Sequence, residues 1–132
     1  MSQGAVQTAQ PFLHKVESMI TALMAQKWGE FLPYFSNDLV YKVGIAPPVH
    51  GPEACRDFLA NIYKKLQPGN HVVHGTWEVG NVVIVEMDAH YNVIEDGRPV
   101  VVPCCDIYRF DSNGLIQKWN VYPDASDVRI QF

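Results

Sequence analysis

Val100–Phe110, VVVPCCDIYRF, decides the fold. Apart from Pro103, Asp106 and Arg109 the stretch is β-branched, aromatic or sulfhydryl. Turn signals bound it, Asp96-Gly97 before and Ser112-Asn113-Gly114 after. It therefore reads as a long strand with at least one buried face. Side chains alternate along a strand. One face carries Val102, Cys104, Asp106, Tyr108 and Phe110; the other carries Val101, Pro103, Cys105, Ile107 and Arg109. Both are largely apolar, so the neighbouring strand has to decide where Asp106 points.

That neighbour is Val82–Ile94. With Asp96-Gly97 as a two-residue turn, Glu95 stands opposite Arg98 and Met87 opposite Asp106. Asp106 then shares a face with Met87, Ala89, Tyr91 and Val93, while Glu86, Asp88, His90 and Asn92 take the other, solvent-like face. Asp106 is expected inside. Continuing through Gly80-Asn81, Val79 pairs with Val82 and His74 comes opposite Met87, which predicts a row His74, Met87, Asp106 across three strands. Pro103 is the place where a bulge would break this register. An inward carboxyl that stays charged and unpaired costs several kcal/mol. It either finds a partner or raises its pKa. A protonated acid in such a place donates to a developing oxyanion. The structural alternative is an acid paired with Arg109 or bonded to backbone.

Working outward, Pro11–Gln26 has helical periodicity, with Phe12, Val16, Met19, Ile20 and Leu23 on one stripe. A second short helix is expected over Trp28–Phe35, a strand over Leu39–Ile45, and a loop through APPVHGPEAC. A third helix starts at Gly51-Pro52-Glu53 and runs to about Leu66. His71–Val79, Val82–Ile94, Val100–Phe110 and Leu115–Tyr122 are β-rich. Helices first and a meander afterwards predict an α+β domain with its helices on one side of a curved antiparallel sheet. Residues 1–10 read as a flexible polar tail and 11–132 as one domain.

Composition narrows the function. Charged residues are 18% and hydrophobic ones 48%, which fits a globular chain rather than a disordered one. A net charge of −4 with scattered Lys and Arg argues against nucleic acid as a partner. No run is apolar enough to span a membrane, and MSQGAVQTAQ lacks the features of a secretory signal, so a cytoplasmic location is expected. The three cysteines have no metal-like spacing and read as buried thiols, with a Cys104-Cys105 disulfide or a catalytic thiol as the alternative. The histidines are scattered and no Gly-rich phosphate loop is present, so neither metal nor cofactor is expected.

The order of elements resembles the SnoaL-like and ketosteroid-isomerase-like members of the nuclear transport factor 2-like superfamily, from about Phe12 to Asp124. FLPYFSNDLVYKVG is similar to the family's second helix and first strand, and HGPEACRDFLANI to its Gly-initiated third helix. DGRPVVVPCCDIYRFDSNGLIQKWNVYPD is similar to its long hairpin and last strand. The resemblance implies a cone-shaped half-barrel with three N-terminal helices, a deep apolar pocket for a small ligand, and a homodimer formed through the sheet. It places the isomerase's oxyanion acid on Asp106, but its general base on or near Val43 and its tyrosine on or near Met19. The Asp-Arg-Asp trio of limonene epoxide hydrolase falls on Ala89, Met87 and Val121, and only that enzyme's strand-one tyrosine is kept, as Tyr41. Dehydratases and cyclases of the superfamily use a pocket histidine with an acid, a pair that His74 and Asp106 could supply.

The expectation is a cofactor-free enzyme doing isomerisation, dehydration or cyclisation on a small, mostly apolar carbonyl or hydroxyl compound. Asp106 is the acid or oxyanion donor, His74 the base and Tyr41 a positioning donor. Met19, Val43, Met87, Ala89, Tyr91, Cys104, Tyr108, Trp119 and Val121 are expected around them. A non-catalytic binding or dimerisation module is the alternative, favoured if Asp106 has no second polar group within reach.

Overall fold

Prolines open the two longer helices, where a missing N–H leaves nothing unsatisfied. In the computed structural model, which describes residues 10–130 and 132, α1 spans Pro11–Met24 and buries Leu13, Val16, Met19, Ala22 and Leu23. The polar tail expected over residues 1–10 lies, except for Gln10, outside the described residues. α2 is a single turn, Trp28–Phe31. Pro33 then tightens the chain into a 3-10 turn over Leu32–Tyr34. The first strand, β1 (Phe35–Val43), consequently starts earlier than Leu39. The stretch read as loop contains β2 (Val49–His50), which pairs with Val40 and Tyr41. α3 runs from Pro52 to Ile62. It stops short of Leu66 because Leu66–Pro68 forms β3 and bonds to the sheet, Leu66 opposite Val93 and Pro68 opposite Tyr91.

β4 (Val72–Val79), β5 (Val82–Val93), β6 (Pro99–Phe110) and β7 (Ile116–Pro123) complete a seven-stranded sheet. Its order is β2-β1-β7-β6-β5-β3, with β4 also paired to β5. The sheet is mixed. β1 joins β7 in parallel, Tyr41 opposite Trp119 and Val43 opposite Val121, while the other pairings are antiparallel. Curled around the helices, it gives the α+β half-barrel that the element order predicts. The core lies between helices and inner face, from Val16, Met19 and Phe31 to Val83, Tyr108 and Trp119.

Two registers differ from expectation. The β5–β6 turn closes between Val93 and Arg98: the Gly97 N–H donates to the Val93 carbonyl at 2.7 Å and the Val93 N–H to the Arg98 carbonyl at 2.8 Å. The turn is therefore longer than Asp96-Gly97, and Val85, not Met87, stands opposite Asp106; Met87 faces Cys104. A shift of two residues preserves the face, whereas a shift of one reverses it, so Asp106 remains inside. The second difference does reverse a face. β4 bulges between Val73 and Gly75, Val73 opposite Met87 and Gly75 opposite Glu86. His74 is the extra residue, released from the ladder. The row His74, Met87, Asp106 does not form. Pro103 takes its place opposite Asp88 without a break.

Candidate active site

Asp106 is the one charged side chain in the core among the described residues, 5% exposed. Three strands build its surroundings. Cys104, Asp106 and Tyr108 follow one another on the inner face of β6, and β7 brings Val121 opposite Asp106 and Trp119 opposite Tyr108. One carboxylate oxygen, Oδ2, accepts from the Tyr108 hydroxyl at 3.2 Å and from the Trp119 indole N–H at 3.2 Å. The two donor rings stack, their centroids 5.2 Å apart. The other oxygen, Oδ1, is buried with no hydrogen-bond partner. Burial raises the pKa of Asp106 to about 6, against the opposing hydrogen bonds of Trp119, Tyr108 and Cys104, which favour the ionised form. The structural alternative of an Arg109 pair is not met, since Arg109 is exposed.

Beside this acid lies a cavity of about 450 Å³, walled by Tyr41, Val43, Phe58, Tyr91, Cys104 and Val121 among others. Asp106 does not itself line it; Cys104, its inner-face neighbour on β6, and Val121, its partner on β7, do. Tyr41 on β1, Tyr63 at the end of α3 and Tyr91 on β5 bring three hydroxyls to the wall. None has a hydrogen-bond partner among the described residues. Burial pushes all three tyrosines well above their ordinary pKa, and the charge of Asp106 adds to each shift, so these hydroxyls are donors at any working pH. The same two causes, burial first, raise the Cys104 thiol and keep it protonated.

The remaining expected residues are placed as follows. Val43, Ala89, Tyr91, Cys104 and Val121 line the cavity with Tyr41. Met19, Met87, Tyr108 and Trp119 are buried in the core behind it. His74 is on the outer face, half-exposed, its Nε2 2.9 Å from Oδ2 of Asp88. It lines a shallow depression there with Glu86, Asp88, Cys105 and Tyr122. Tyr41 thus lines the cavity beside which Asp106 is buried, near enough to feel its charge, and His74 lies outside, on the outer face. Among the described residues no three His, Cys, Asp or Glu side chains converge as a metal site requires, and the three cysteines are unpaired.

Sequence reasoning missed two contributors. Trp119 reads as a wall, yet it supplies a hydrogen bond to the acid; counting from the Ser112-Asn113-Gly114 turn pairs Tyr108 with Lys118, and it is the register shift between Arg109 and Phe110 that brings Trp119 opposite Tyr108. Tyr63 carries no such signal, because its reach depends on where α3 stops.

The comparisons agree with this fold. A SnoaL-like domain model matches residues 16–119, most of the chain. The chain belongs to the SnoaL-like domain family. Among solved structures this SnoaL-like chain is similar to a hypothetical protein of ketosteroid isomerase-like fold from Catenulispora acidiphila, crystallised with trimethylamine. The two are 17% identical over 91% of each chain, with a TM-score of 0.77. It is similar to a putative SnoaL-like polyketide cyclase from Shewanella denitrificans, 15% identical over 90% of this chain and 95% of that one, TM-score 0.78. An epoxide hydrolase of M. tuberculosis, described as LEH-like, is 20% identical over 88% of this chain and 84% of its own, TM-score 0.74. At these identities the likeness is one of fold. None of the curated proteins matches the sequence. No described helix is long and apolar enough to cross a membrane.

Proposed function

We propose that the cavity receives a small, mostly apolar carbonyl or hydroxyl compound, and that Asp106 moves a proton on it without a cofactor. The observation that supports this most is the unpartnered Oδ1 of a buried carboxyl. Because Oδ2 already holds two donors, the proton of the neutral acid belongs on Oδ1. With a pKa of about 6, both protonation states are populated near neutral pH. One such group suffices for isomerisation. With the ligand reaching Asp106 past Cys104 and Val121, which line the cavity in front of it, the carboxylate takes a proton from the carbon between a carbonyl and a double bond, the Tyr41 hydroxyl donates to the developing enolate oxygen, and the same proton returns two carbons further along. Acid and base balance within one residue. Dehydration and cyclisation ask for a second acid–base group, which His74, bonded to Asp88 on the outer face, is not placed to supply.

The test uses simple β,γ-unsaturated ketones such as cyclohex-3-en-1-one, followed by the absorbance of the conjugated product. Asp106→Asn is expected to lower kcat/KM by about 10²- to 10⁴-fold. Conversion no faster with the wild-type protein than with Asp106→Asn across such a panel rejects the reading.

One observation favours a second reading, a non-catalytic binding module: Asp106 stands behind the cavity wall rather than in it. Ligand binding without turnover, and without deuterium entering the ligand from heavy water, would decide for that module. In either case we place the homodimer on the outer sheet face, which carries Trp77, Val79 and Tyr122.

A further inference from the structure

The chain does not leave the cavity when β7 ends at Pro123. The Asp124 N–H donates to the Pro103 carbonyl at 2.8 Å, and the Asp124 carboxylate accepts from the Ser126 N–H at 3.2 Å and its hydroxyl at 2.7 Å. A tight turn follows, with the Val128 N–H on the Ala125 carbonyl at 3.1 Å. Arg129 has φ +53°, in the left-handed region. These features fold the segment after β7 back, so that Val128, Ile130 and Phe132 line the cavity with its tyrosines. Val128 is buried in an apolar cluster with Leu66, Ala89, Val93, Val100 and Val102, and Ile130 packs against the same cluster.

The segment adds no strand to the sheet, so few contacts hold it. Arg98, in the β5–β6 turn, supplies two of them. Its guanidinium donates to the Asp127 carbonyl at 3.2 Å and to the Val128 carbonyl at 2.7 Å. Both acceptors are backbone, so the contact depends on the path of the segment and not on its side chains. Lys65 stands over the Phe132 ring, 5.9 Å from its centroid.

From this geometry we propose that residues 125–130, with Phe132, are the outer wall of the ligand site and set the length of ligand it admits, with Ile130 as the stop and Arg98 as the latch. The inference rests on the small-molecule reading of the cavity. It adds that specificity for length is set at the end of the chain, away from the acid.

The test is a series of 4-alkylphenols, from ethyl to octyl, titrated by calorimetry. A hydroxyl suits the polar end of the cavity, and each buried methylene raises affinity by about fourfold. The wild-type protein is expected to follow that increment and then to break where the alkyl chain meets Ile130. Ile130→Ala should move the break to a longer phenol. Arg98→Ala should raise the dissociation rate of every member by about tenfold or more, most affinity changes being expressed in dissociation. A measurement without ligand accompanies it: exchange of the Val128 amide, expected to accelerate by about tenfold in Arg98→Ala while the Asp106 amide in β6 is unchanged. A break that stays put in Ile130→Ala overturns the wall but leaves the site reading intact. Unchanged Val128 exchange in Arg98→Ala overturns the latch whatever the phenols do. Failure of every phenol to bind the wild-type protein removes the site reading, and the wall with it.

Discussion

Asp106 makes the molecule's stability depend on pH in an uncommon direction. A carboxyl that is stabilised by its partners has a lowered pKa and loses stability in acid. Here burial outweighs the hydrogen bonds from Trp119, Tyr108 and Cys104, and the pKa rises from 3.8 to about 6. Between those values the folded chain holds the proton more firmly than the unfolded one. The contribution of Asp106 is therefore most favourable below pH 3.8 and is lost as pH rises to about 6, by roughly 3 kcal/mol for a shift of this size. Asp106→Asn, neutral throughout, should gain on the wild-type protein by about 1–3 kcal/mol between pH 4 and pH 7. Urea unfolding of both proteins across that range reads the difference directly; parallel pH profiles would mean that Asp106 is ionised without penalty. The inward face of Asp106 was legible because it rests on parity, which survived a two-residue error in register. The place of His74 was not, because a bulge inserts one residue and reverses every face beyond it. The one mark of it in HVVHGTWEV is Gly75, an isolated glycine inside a strand.

The elements carry a second feature that spacing alone does not reveal. α1 begins without a capping side chain of its own: Gln10 makes no cap hydrogen bond and the first turn has no acidic residue. Glu78, on the inner face of β4, takes that role from a distant part of the chain, its Oε1 accepting the Leu13 N–H at 2.8 Å. A carboxylate there satisfies an orphan donor and meets the positive end of the helix dipole. Lys15 makes a second tie, donating to the Gly114 carbonyl at 2.9 Å, and Phe12 stacks on Phe110 at 4.5 Å. Glu78→Ala should cost about 1 kcal/mol of global stability, with Glu78→Gln retaining part of it. Thermal unfolding of the three proteins checks this. Equal midpoints would show that packing of Leu13 and Val16 alone docks the helix. The existence and face of α1 were legible from periodicity and Pro11, and the existence of α3 from Gly51-Pro52-Glu53. Their ends and caps were not, since both depend on strands that pair only in the finished sheet, β3 against β5 and β4 against α1.

At the scale of the whole molecule, the inner face of the sheet is covered and the outer, largely polar face carries an uncovered apolar patch. The inner face packs on the helices. On the outer face Trp77, Val79 and Tyr122 are 50%, 69% and 55% exposed, among Glu86, Asp88, Arg109 and Lys118. Trp77 lies flat over Gly75, where a Cβ would meet its ring at 2.5 Å, so the glycine provides the bed that holds the indole against the sheet. Large aromatics on an apolar patch with charges around it are the anatomy of an interface centre and rim. A patch related to itself by a two-fold axis is the commonest way for a soluble chain to bury such a face. On the proposed pairing through this face, Trp77→Arg should convert the dimer to a monomer, because an arginine at the centre of the patch would bring two like charges together across the axis. Tyr122→Ala, on the neighbouring strand, should weaken the dimer by less. Sedimentation velocity over a concentration series gives the answer. A wild-type protein that sediments as a monomer at every concentration, or a Trp77→Arg variant that dimerises as well as the wild type, would remove the outer face from the assembly. The fold of the subunit should not change in either variant, since no inner-face contact involves Trp77, and its circular dichroism serves as the control.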